Sequence, residues 1–131
     1  MSNLEHPKYY QLNINLEVLD VINLVLDDKE ISNSNCFYLG NVIKYLFRAE
    51  QKNGLEDYKK ALFYFEKIDR TNAYSCLNYT ETEKILIDKV LKTIENEEIR
   101  DIVNNAIYLH FRLAKNLLFG YIEKQEKQNE I

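Results

Sequence analysis

Glycine occurs three times in 131 residues and proline once. Barrels and sandwiches need many tight turns, and glycine and proline are the residues that make them. A chain so poor in both is expected to form long helices joined by few loops, so the fold class read from the sequence is all-α. The length suits one domain, residues 1–131, with a core that stands without metal or disulfide staples. The formal net charge of -4 argues against a general attraction to duplex nucleic acid or an anionic membrane, and leaves room for a local basic patch. No apolar run approaches the ~18 residues of a membrane helix. Cys36 and Cys76 lack metal-like spacing and no segment reads as a signal peptide, which points to reduced thiols and a cytoplasmic location.

Residues 1–15 read as an extended arm, because Pro7 biases His6 away from helix and "HPKYYQLNIN" has no helical period. "LEVLDVINLVL", Leu16 to Leu26, spaces its apolar residues as a helix does, with a strand as the competing assignment. A second helix is expected from about Cys36 to Lys52, capped by Ser34 or Asn35. Gly40 inside it suggests the close approach of another element. "KNG" ends it, with Gly54 suited to a left-handed position. A third helix from Leu55 then completes an antiparallel helical hairpin. Thr80 and Glu83 form a capping box that opens a fourth helix. Asn96 caps a fifth, expected to run unbroken to about Lys127. At ~1.5 Å per residue that helix would extend roughly 40 Å, more than so small a domain covers, and a homo-oligomer is the implied remedy. His110, within it, reads as a core or interface histidine.

Asn41, Lys44, Tyr45 and Arg48 fall at i, i+3, i+4 and i+7, one stripe of the second helix. An arginine fork, a lysine charge and neutral donors together suit a phosphate group. Asp57, Lys60 and Tyr64 form a stripe on the third helix that the hairpin could bring alongside. The competing reading is a solvated face of i, i+4 ion pairs. Glu17 and Asp20 have helical spacing that could hold Mg²⁺, and Glu98 and Asp101 repeat it, although a first helical turn attracts carboxylates for its own reasons.

The blocks "HPKYYQ", "LEVLDVI" and "LGNVIKYLFRAEQKNGLEDYKKALFYFEKI" resemble a short phage family known as nucleotide kinase-like and also as a domain of unknown function. The residues that match its pattern are His6, Pro7 and Tyr10; Glu17 and Asp20; Gly40, Asn41, Lys44, Tyr45, Arg48 and Ala49; and Glu56, Asp57, Lys60, Ala61 and Tyr64. The chain departs from it at Tyr58, where leucine is usual, and in the acidic stretch before Cys36. The resemblance covers residues 5–68 as a family-like core and leaves 71–131 as a C-terminal helical extension.

This resemblance implies a nucleotide ligand and a phage source, hence the host cytoplasm. No G-x-x-x-x-G-K-[ST] loop exists, so any kinase chemistry would rest on Lys44, Arg48 and Lys60. His6 would contact phosphate or carry a proton. Tyr10, Asn41, Tyr45, Lys60 and Tyr64 would hold the nucleotide, with Glu17 and Asp20 available for Mg²⁺. Two alternatives stand beside a nucleoside monophosphate kinase. One is a non-catalytic counter-defence protein that sequesters a nucleotide, and the other is a helical interaction or inhibitor module whose last helix binds a host protein. No membrane or duplex nucleic acid partner is expected.

Overall fold

A computed structural model of the chain describes residues 17–26, 33–51, 54–68 and 79–129. The described residues form six helices: α1 (Val18–Leu26), α2 (Asn33–Ala49), α3 (Leu55–Lys67), α4 (Glu81–Lys92), α5 (Glu97–Ile107) and α6 (Phe111–Asn129). The fold is all-α. The expected N-terminal arm, with His6, Pro7 and Tyr10, lies outside the described residues, as does Cys76.

In α1 the helix assignment prevails over strand. Val18, Val21 and Val25 recur at helical spacing and are buried, and Asp20 Oδ2 accepts from the Glu17 backbone N–H at 2.8 Å. A carboxylate three residues into a helix reaching back to the capping residue's N–H is half of a capping box.

The second helix starts earlier than expected, at Asn33, so Ser34 and Asn35 lie inside it rather than capping it. Asn35 is buried, on the same side as Leu39 and Val42. Gly54 adopts a φ of 49°, its N–H bonds to the Ala49 carbonyl, and its own carbonyl starts α3 by accepting from Asp57 and Tyr58. A side chain would be strained there, which is why glycine makes this turn.

α1 crosses α2 at Gly40. A Cβ placed on Gly40 would meet Ile22 Cγ2 at 3.7 Å and Leu26 Cδ1 at 3.8 Å, ordinary van der Waals contact. Another element therefore does lie over Gly40, at a separation that would still admit a methyl group.

The expected capping box is present at α4. Thr80 Oγ1 accepts from Glu83 N–H at 3.1 Å, and Glu83 Oε1 accepts from Thr80 N–H at 2.9 Å. Asn96 Oδ1 likewise accepts from Ile99 N–H at the start of α5. The single long C-terminal helix is not observed. α5 ends at Ile107, Leu109 takes a φ of 62°, and α6 begins at Phe111. The Leu109 N–H bonds to the Ala106 carbonyl and the His110 N–H to the Asn105 carbonyl. That pair of bonds is a Schellman closure, made here without the usual glycine.

A left-handed leucine is disfavoured by about 1 kcal/mol. The compensation is packing, since the break turns the chain so that Leu109, Phe111, Ala114, Leu118, Tyr121 and Ile122 are all buried. Leu113 and Leu117, which an unbroken helix would place on the core stripe, are exposed instead. The ~40 Å rod that suggested an oligomer is thus two shorter helices folded on each other. His110 is exposed at the break, its ring Nδ1 3.2 Å from Asn105 Oδ1, and so is not a core histidine.

The α2–α3 hairpin is the centre of the molecule. α1 lies on α2, α6 packs along α3 and α5, α5 also reaches α2, and α4 bridges α1 and α5. One apolar core runs through both halves of the chain, from Val18 to Ile122. Tyr58, the position that departs from the family pattern, meets Tyr121 of α6 edge-on at 5.3 Å and donates to Glu50 Oε1. A leucine there could pack against the same ring and could not make the hydrogen bond.

Candidate functional site

Tyr45 and Tyr64 stand nine residues before and ten after Gly54, so the antiparallel hairpin brings them together. Their rings stack at 6.0 Å with planes 8° apart. Three cations gather around this pair. Lys44 Nζ lies 5.0 Å, Lys60 Nζ 5.5 Å and the Arg48 guanidinium carbon 6.0 Å from the Tyr45 ring centroid. The two polar stripes of α2 and α3 therefore converge on one face. Each cation also gains from the electron-rich ring it approaches, by about 0.5–1 kcal/mol where solvent reaches it.

Beneath the cations lies Asp57, whose side chain is 0% exposed. Its Oδ2 is 3.3 Å from Arg48 Nε and its Oδ1 3.8 Å from Lys60 Nζ, while Glu56 Oε1 also stands 3.8 Å from Lys60. Neither Asp57 oxygen has a hydrogen-bond partner of good geometry. A buried carboxylate without hydrogen bonds is held by charge alone, and one that loses its counter-charge is strongly destabilising. Asp57 thus anchors the guanidinium and the ammonium from below. Its place in the first turn of α3, where the helix dipole favours a negative charge, explains only part of its role. Its burial could not be read from spacing; the available signal was an acid opening one helix and an arginine closing the helix before it.

The remaining sequence-predicted residues fall differently. Asn41 Nδ2 donates to the Phe37 carbonyl at 2.9 Å, so one of its donors is spent on its own helix. Lys44 makes no ion pair among the described residues and is the cation most available to an incoming anion. Asp20, expected as a metal ligand with Glu17, caps α1 and lines a small cavity with Val21, Leu24, Ile87, Val90 and Ile107 at the α1–α4–α5 junction. None of the three cations borders that cavity. Among the described residues no group of three or more His, Cys, Asp or Glu side chains is gathered as a metal site. Glu98 pairs with Lys124 of α6, which ties the two C-terminal helices together. Burial pushes the Cys36 thiol above its ordinary pKa and so away from the nucleophilic thiolate. His6 and Tyr10 lie outside the described residues.

A cavity of about 60 Å³ opens elsewhere, lined by Leu46, Phe47, Glu50, Gln51, Thr93, Ile94 and Ile99. Small-molecule sites usually occupy several hundred Å³, so this one suits solvent better than a nucleotide. Around Tyr64 the sequence reading missed a larger aromatic grouping. Phe37, Tyr38 and Phe63 lie 6.1, 6.5 and 5.3 Å from its ring, and Phe37 and Phe63 are 61% and 54% exposed.

Comparison with known proteins finds matches over part of the chain. Residues 4–66 match the DUF3310 family, described as a protein of unknown function. The Gene 1.7 protein of Enterobacteria phage T3 is 36% identical over 73 residues, which are 53% of this chain and 43% of the T3 protein. The chain thus matches less than half the length of that relative. No solved structure matches. The similarity is therefore to phage proteins, through a domain whose function is not described. Among the described residues no helix is long and apolar enough to cross a membrane.

Proposed function

We propose that the α2–α3 face binds a nucleotide, with Lys44, Arg48 and Lys60 holding phosphate and the stacked Tyr45–Tyr64 pair receiving the base. The observation that carries this reading is the gathering of three cations within 6.0 Å of one stacked tyrosine. Phosphate calls for a directional fork and point charges, and a base calls for an aromatic surface. The face supplies both. Asp57 orients Arg48, so less of the guanidinium's freedom is lost on binding. The resemblance to a phage nucleotide kinase-like family supports the same ligand class. In a kinase these cations would neutralise charge on the transferring phosphoryl group, and Mg²⁺ would arrive with the nucleotide's phosphates; Asp20, committed to the α1 cap and facing a separate cavity, is poorly placed to hold it there with Glu17.

A second reading, retention of a nucleotide without turnover, is favoured by one feature. Arg48 and Lys60 already lean on Asp57, and Lys60 on Glu56, so part of their charge is met before any ligand arrives. Such a site is better suited to holding an anion than to stabilising charge that develops in a transition state.

Calorimetric titration of nucleoside mono- and triphosphates against wild type and a Lys44→Ala/Lys60→Ala variant tests the shared premise. Loss of roughly tenfold or more in affinity, about 1.4 kcal/mol, is expected. Equal binding by both proteins removes the reading. Incubation with a phosphate donor then separates the two forms, since a kinase converts its ligand and a sequestering protein returns it intact.

A further inference from the structure

A mononucleotide has one base and needs one aromatic platform. The α2–α3 face offers more. Tyr64 is bracketed by Phe37 from α2 at 6.1 Å and Phe63 from α3 at 5.3 Å, both edge-on, while Tyr45 stacks on it at 6.0 Å. Tyr38 joins the row at 5.8 Å from Phe37. The two phenylalanines are the outermost members, 61% and 54% exposed. A single exposed phenylalanine needs no explanation. Here two of them, on different helices, converge on one tyrosine beside a group of cations.

The cations follow the same row. Lys67 Nζ lies 5.1 Å over the Phe63 ring, and Lys44, Arg48 and Lys60 surround Tyr45. Against these four charges α3 carries Glu56, Asp57 and Glu66, of which Asp57 is wholly buried and Glu56 is paired with Lys60. The face is locally cationic in a chain of net charge -4. A row of aromatic rings interleaved with positive charge is the arrangement by which proteins bind single strands, with bases on rings and phosphates on lysines. Duplexes bury their base faces and cannot use the rings.

From this we infer that the α2–α3 face binds a single-stranded nucleic acid segment of more than one nucleotide, with Phe37 and Phe63 as stacking platforms on either side of Tyr64. The inference rests on the nucleotide reading of the same cations and extends its ligand from a monomer to a strand. The phosphodiester and base chemistry is shared by DNA and RNA, and the test separates them.

Fluorescence anisotropy of the full chain with labelled oligothymidylate and oligouridylate of about ten nucleotides is read beside titrations of the matching mononucleotides. A strand of one or both kinds is expected to bind roughly tenfold or more tighter than its mononucleotide, and tighter than a duplex containing it, with a log–log salt slope of about -2 for three phosphate-bound cations, Lys44, Arg48 and Lys60. Phe37→Ala/Phe63→Ala removes two exposed rings, so folding is unaffected by circular dichroism. The variant should lose roughly tenfold or more in strand affinity, the loss expected of stacked bases, and keep its mononucleotide affinity. Strand binding no tighter than the mononucleotide's, insensitivity to both phenylalanines, or a salt slope near zero would each overturn the inference and leave the nucleotide reading standing. Failure to bind either ligand would overturn both.

Discussion

Replacing Arg48 with methionine would leave the Asp57 carboxylate buried with Lys60 alone. The Arg48 Nε to Asp57 Oδ2 distance is 3.3 Å and the carboxylate is 0% exposed. At an effective dielectric of about 20 the gross attraction is about 5 kcal/mol. Removing one partner of a buried pair costs about 3–5 kcal/mol, because the other charge is stranded. Lys60 stays 3.8 Å from the other oxygen, but it is 41% exposed and its contribution is screened by solvent. The expected loss is therefore about 3 kcal/mol. Methionine keeps helix propensity and much of the stem's packing, so the loss reports the charge. The double variant Arg48→Met/Asp57→Leu removes both charges and should return to within about 1 kcal/mol of wild type. Urea unfolding followed by circular dichroism measures all four corners of this cycle. With a slope of about 2 kcal/mol/M, the single variant's midpoint should fall by about 1.5 M. A single-variant loss under about 1 kcal/mol, with the double variant equal to the sum of the singles, would refute the argument that Asp57 depends on Arg48.

Gly40→Ala should stabilise by up to about 1 kcal/mol, since a methyl fits at 3.7 Å from Ile22 and alanine favours helix; the melting temperature should rise by about 3 °C, and a fall would mean that α1 sits closer. Gly54→Ala should lower it by a similar amount or more, because φ there is 49°. Stability should also fall in alkali. Burial, reinforced by Glu50 at Tyr58 and by Tyr108 and Glu83 at Tyr79, raises both phenols' pKa values above their ordinary value. Their contribution is complete below the unfolded pKa of about 10 and is lost as pH rises toward the folded values, by up to ~1.4 kcal/mol per pH unit for each phenol. Denaturation across that range should show the decline, and Tyr58→Phe should make it shallower.

The elements legible in the chain were those whose signals are local. Thr80 with Glu83, Asn96, and Gly54 after a run of apolar spacing each mark a terminus through bonds made within a few residues, and all three do so here. The polar stripe was equally legible, because helix geometry alone puts Lys44, Tyr45 and Arg48 on one side. What local patterns did not carry was the break at Leu109, where no glycine, proline or polar cap announces a turn and the reward lies in burying Phe111 and Leu118 against distant helices. Nor did they carry the burial of Asp57, which needs two helices and a turn to come about, or the meeting of Phe37 with Phe63 around Tyr64.

Helical periodicity, caps and the scarcity of turn formers sufficed to specify five helical segments, the last of which is in fact two, and the position of the cations, since each depends on neighbours within about one turn. Where α6 runs, which carboxylate lies under Arg48, and which rings remain exposed followed from packing between helices. Those are long-range choices, settled by the apolar area that the assembled core removes from water, and no window of adjacent residues contains that sum.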